Sequence, residues 1–186
     1  IHPIWVGIIQ GMIGGVTVNA VAGFGEELGW RGFLQREFAP LGFWKASLLI
    51  GFIWGVWHAP LILHGHNYPQ HPVAGAFMMT GWCVLLAPLI GYVRLRARSV
   101  IAAAIMHGTI NGTYGLAIML LKGGNDLTVG TTGAAGLVVL ALANLGLYAY
   151  ERTRSSPPRH QRSADESGAQ GPVAGAEGPR YPDGCP

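Results

Sequence analysis

Residues Ala22–Phe38 read "AGFGEELGWRGFLQREF". Two adjacent carboxylates, Glu26 and Glu27, stand here with Arg31 four residues on, in a chain that otherwise uses charge sparingly. Only 11% of the 186 residues are Asp, Glu, Lys or Arg and 50% are hydrophobic, against about a quarter charged in an ordinary soluble domain. Residues 1–25, 46–93, 99–121 and 127–150 contain no Asp, Glu, Lys or Arg. A helix crossing the hydrocarbon needs about 20 mostly apolar residues, so the second stretch has room for two crossings and each of the others for one. The chain therefore reads as all-α: a polytopic membrane bundle of five to six hydrophobic helices. Their expected limits are 4–22, 44–63, 73–93, 99–121 and 128–150, with the glutamate stretch extending the first helix or lying beside it. A soluble helical protein would need polar faces that these segments lack.

Charge also orders the chain along its length. Residues 1–150 hold seven Lys/Arg and four Asp/Glu, whereas residues 151–186 hold five of each, so the net charge of +3 sits in the apolar part. The basic residues cluster at Arg31, Arg36 and Lys45, at Arg94, Arg96 and Arg98, and at Arg152, Arg154 and Arg159. Counting crossings puts the three clusters on one side, which the positive-inside rule makes cytoplasmic. The opposite loops, 64–72 and 121–128, contribute one Lys. Residues 1–150 form the expected membrane-embedded domain, and the Pro-, Gly- and Ser-rich residues 151–186 a disordered cytoplasmic tail. The lipid bilayer is the implied partner, and no basic and aromatic interleaving of the kind that binds nucleic acid is present. The first residue is Ile and "IHPIW" lacks the marks of a signal peptide, as in a chain whose earlier helices are missing. Cys83 and Cys185 imply neither a disulfide framework nor a thiolate metal site. Gly7, Gly11 and Gly15 make a ridge along which another helix can approach closely.

Ionisable groups inside a membrane domain usually mark function. On a helix Glu27 and Arg31 lie one turn apart and can pair, while Glu26 points about 100° away and is left uncommitted. His58 lies in "FIWGVWHAP" (52–60); His107 and Asn111, spaced i and i+4, lie in "IMHGTINGT" (105–113). Singly, each has a bland reading: a hydrogen-bonded core histidine, an asparagine bridging helices, a packing ion pair. Together, on three helices that otherwise avoid polarity, they can converge on one buried wet cavity. There Glu26 could act as general base on water, and His and Asn N–H groups could stabilise the oxyanion formed when that water attacks an amide. Helix rise, at about 1.5 Å per residue, sets His58 about 6 Å deeper than His107 when both are counted from the nearest basic residue. His64, His66 and His71, in a nine-residue loop with two prolines, read as ordinary loop polarity.

The order and spacing of these residues resemble the CPBP family of intramembrane proteases, the CAAX proteases and bacteriocin-processing enzymes also called Abi. Its first motif, Glu-Glu-x-x-x-Arg, is present as "EELGWR" (26–31), and its third, His-x-x-x-Asn/Asp, as "HGTIN" (107–111). The second, Phe-x-x-x-His, is matched by "WGVWH" (54–58), with Trp54 in the Phe position. The resemblance spans about residues 10–120. It implies an intramembrane endopeptidase acting on a membrane-associated or prenylated (CAAX-type) protein or peptide. Glu26 would activate water, His58 and His107 would be its partners, Asn111 with His107 would clamp the oxyanion, and Glu27 and Arg31 would support the site. Members carry the name metalloprotease, and Glu26, His58 and His107 are a conceivable zinc set with an open position for water. No His-Glu-x-x-His helix is present, and the reading without a cofactor is favoured. The alternatives are a non-catalytic membrane scaffold or bacteriocin-immunity protein of the same fold, and a proton or cation carrier, which would more often show broken helices and paired repeats.

Overall fold

The computed structural model describes residues 3–116 and 123–155. Among these there are five helices and no strand. Helix α1 runs continuously over Ile4–Glu37, and α2 spans Phe43–Leu63. Helices α3 (Pro72–Ala97), α4 (Val100–Thr113) and α5 (Ala134–Ser155) come after them. Helices α1, α2, α3 and α5 are long and apolar enough to cross a membrane. The chain divides into two units, 1–148 and 149–186; of the second, only 149–155, the last turns of α5, are described.

The glutamate stretch extends the first helix, one of the two arrangements expected: α1 continues through it for 34 residues in all. Two other boundaries differ from the sequence reading. The fifth helix begins at Ala134 rather than 128, because residues before it form turns in which Asn125 Oδ1 accepts the backbone N–H of Leu127 and of Thr128, each at 3.1 Å. The expected tail begins inside α5, which carries on to Ser155; its remainder, 156–186, lies outside the described residues, as does the end of the expected span 99–121.

Small residues set how closely the helices approach. A Cβ on Gly51 of α2 would sit 2.6 Å from Val84 Cα of α3, and one on Gly15 of α1 would sit 2.7 Å from Thr109 Cα of α4. The Gly11 and Gly15 part of the expected ridge is thus a helix seam, packed against Gly108 and Gly112. Between α2 and α3 lies a core that includes Trp54, Ile62, Met79, Trp82, Cys83 and Leu86, all buried. Large apolar side chains such as Val18, Val21, Phe52, Phe77 and Val139 point outward and exposed, as expected of a surface that meets hydrocarbon.

Both ends of the bundle are tied. At one end Gln35 Nε2 donates to the carbonyl of Gly91 at 3.2 Å. Arg98, with φ +52°, turns the chain there, and Ser99 caps α4 by accepting the N–H of Ala102. At the other end Asp126 accepts from His71 Nδ1 (2.7 Å) and from the backbone N–H of Gln70 and His71. Tyr68 O–H donates to the carbonyl of Thr132 at 2.7 Å. The loop 64–71 and the segment 123–133 therefore close over one end of the helices.

Candidate active site

Glu26 and Glu27 lie in an α-helical stretch, Ala20–Glu27, between two π-helical ones, Gly15–Asn19 and Leu28–Leu34. A π turn holds one residue more than an α turn and rotates the helix beyond it by about 100°. The side-chain amide of Asn19 donates to the carbonyl of Gly14 at 3.1 Å, closing the first of these wide turns. The two acids, adjacent within the α-helical stretch between those turns, point about 100° apart. Glu27 is 0% exposed, and its Oε1 accepts from Arg31 Nη1 at 2.8 Å and from His107 Nδ1 at 2.9 Å. Glu26 is half-buried; its Oε2 accepts from Trp54 Nε1 at 2.9 Å, and its Oε1 has no hydrogen-bond partner among the described residues.

Trp54 is the hub of the arrangement. Its ring centroid is 5.8 Å from that of His58 and 5.2 Å from that of His107, and the guanidinium carbon of Arg31 stands 4.7 Å from it. The 6 Å difference in depth expected for the two histidines is bridged by this one indole, which touches both. The carbonyl of Trp54 also fixes His58: Nδ1 lies 2.9 Å from that oxygen, which can only accept, so Nδ1 carries the proton and Nε2 is the free nitrogen. The same logic holds for His107, whose Nδ1 faces a carboxylate already paired with Arg31 and must donate to it.

Glu26, His58, His107 and Asn111 line a single cavity of about 450 Å³. Asn19, His66, Tyr114 and Thr132 line it too. Sequence reasoning missed all four of these: Asn19 carries a signal, as one of two amides, with Gln10, in the charge-free residues 1–25, but His66 reads as loop polarity until the loop folds over the cavity, and nothing marks Tyr114 or Thr132. Glu26 also borders an outer groove of about 540 Å³ whose walls include Trp30, Phe33, Leu34 and Trp57. It thus stands between a polar chamber and an apolar face.

Zinc would need its donors gathered on one point. Among the described residues no group of three His, Cys, Asp or Glu side chains is arranged to hold a metal ion. Glu26 has one oxygen held by Trp54, and His58 and His107 each have Nδ1 held, by a backbone carbonyl and by Glu27, which leaves one donor atom on each of the three.

Residues 8–113, which contain all of Glu26, Glu27, Arg31, His58, His107 and Asn111, match the family model described as type II CAAX prenyl endopeptidase, Rce1-like. The chain belongs to this family. The Rce1-like chain is also 35% identical over 127 residues to a protein named CAAX prenyl protease 2 from Methanococcus maripaludis. That match covers 63% of this chain and 44% of the relative, so the chain spans less than half the length of the curated protein it matches. No solved structure matches. Together these bear out the resemblance drawn from the three motifs, and with four helices able to cross a bilayer the Rce1-like chain is an integral membrane protein.

Proposed function

We propose that this chain carries the catalytic centre of an intramembrane endopeptidase that cleaves a peptide bond in a membrane-associated or prenylated, CAAX-type protein or peptide. One observation supports this reading more than any other: Glu26 shares a cavity with His58, His107 and Asn111, with one carboxylate oxygen held and the other without a protein partner. The free oxygen accepts a proton from water as that water's oxygen bonds to the substrate carbonyl carbon. The Asn111 amide donates to the resulting oxyanion, with the His107 ring beside it in the same cavity. The C–N bond then breaks, and the proton held by Glu26 passes to the leaving amine. His58, with Nε2 free, accepts a hydrogen bond from the attacking water and orients it. The apolar groove beside Glu26 suits a substrate arriving from the hydrocarbon. We read residues 1–150 as the membrane-embedded unit and, by the positive-inside rule, place the α1–α2 and α3–α4 connections and the C-terminal tail in the cytoplasm.

The test is Glu26→Gln, assayed on a fluorogenic prenylated peptide in lipid vesicles. Turnover should vanish while the amount of folded, inserted protein is unchanged. Full turnover in that variant would defeat the assignment of Glu26, and a biological effect that persists without turnover would favour a scaffold.

A further inference from the structure

We propose that Trp54 is a positioning residue for Glu26: its indole N–H holds one carboxylate oxygen so that the other alone faces the water, under the influence of the Arg31 charge across the ring. The inference rests on the proteolytic reading of the site and extends it. The hydrogen bond is 2.9 Å long and joins α2 to α1. Trp54 is 1% exposed, and its ring is enclosed by Arg31, His58, His107 and Trp82, the last at 6.2 Å. A ring confined on every side has one direction for its N–H, and that direction meets Glu26.

Burial alone does not account for the contact. Trp82, also in the core, and Trp30 have buried indole nitrogens without a hydrogen-bond partner among the described residues, so this fold tolerates an unpaired indole and does not route every one to an acceptor. Trp54 differs from both in its neighbours. The guanidinium of Arg31 lies over its face, where a cation is attracted to the ring electrons and draws on them, which makes the N–H at the ring edge a better donor. Arg31 therefore acts on both acids: directly on Glu27, and on Glu26 through the indole. A carboxylate on a helix otherwise samples several rotamers; one fixed oxygen removes that freedom and leaves a single base position. Phenylalanine, which the second motif would place here, fills the same wall and offers no donor.

The experiment uses the full chain in lipid nanodiscs with ¹⁵N-labelled indoles. One of the six tryptophan Nε1–H resonances is assigned to Trp54 by its loss in Trp54→Phe. Glu26→Ala should move that resonance and leave the others in place, and Trp54→Phe should lower kcat by about tenfold or more, the usual worth of a hydrogen bond to a charged group, with KM unchanged. A Trp54 resonance indifferent to Glu26→Ala, or a wild-type kcat in Trp54→Phe, would overturn the proposal. If Trp54→Phe does not fold, Trp54→Tyr supplies the assignment, and the Glu26→Ala spectrum, which keeps the ring, decides. If the parent protein shows no turnover, the failure belongs to the proteolytic reading, and the resonance still decides whether the indole holds the carboxylate.

Discussion

His107 Nδ1 lies 2.9 Å from Oε1 of Glu27, eighty residues away in sequence. The same oxygen binds Arg31, so one buried carboxylate joins α1 to α4 and carries the counter-charge of the Arg31 guanidinium. Glu27 is thus buried and paired, whereas Glu26 is half-buried and holds Trp54 through one carboxylate oxygen, its other oxygen having no hydrogen-bond partner among the described residues.

Removing Glu27 leaves the Arg31 guanidinium buried without its counter-charge. Glu27→Ala should therefore destabilise the protein by about 3–5 kcal/mol, read as a loss of thermal stability in detergent. A Glu27→Gln and His107→Gln cycle should give a coupling of about 0.5–3 kcal/mol. Stability equal to the parent's in Glu27→Ala would show that the ion pair does not hold the helices together.

The α1–α4 seam tolerates no side chain at Gly15, where a Cβ would come within 2.7 Å of backbone. Gly15→Val should cost about 1–3 kcal/mol through overpacking. It should also reduce turnover, because α1 brings both glutamates and α4 brings His107 and Asn111. Unchanged melting temperature and rate would mean that the seam is looser than its geometry.

Asp126 ties the two loops at one end of the bundle. Partial burial works against its ionisation, but hydrogen bonds from the His71 side chain and from the backbone N–H of Gln70 and His71 outweigh this and hold its carboxyl below the ordinary value. A folded-state value lowered in this way adds stability above the unfolded value, about 3.9, and that stability is lost as pH falls through the folded value. Melting temperatures of the parent and of Asp126→Asn should therefore differ most near neutral pH and converge below about pH 4. A gap that stays constant down to about pH 3 would remove Asp126 as its source.

Turnover by Glu26 without a metal predicts that chelation has no effect. Incubation with EDTA or phenanthroline should leave kcat within about twofold of the untreated enzyme, well under the tenfold that 1.4 kcal/mol represents. Loss of activity that added zinc restores would instead place Glu26, His58 and His107 on a metal.

The sequence by itself determined the features that local spacing and composition control. Charge-free runs of helix-crossing length announced the membrane bundle, and four-residue spacing placed Arg31 beside Glu27 and Asn111 above His107, because an α-helix repeats every 3.6 residues. Three motifs in order were enough to point to the family. Tertiary structure alone decided which side chains meet across helices. Nothing in the spacing says that Glu27 rather than Glu26 would receive His107, that Trp54 would turn its N–H onto Glu26, or that His66 and Thr132 would reach the cavity. Those pairings depend on how each helix is rotated about its axis, and in α1 that rotation is reset by two π turns; they depend equally on how closely glycine seams let neighbouring helices approach. Both are properties of packing between segments 28 to 80 residues apart, where local periodicity carries no information.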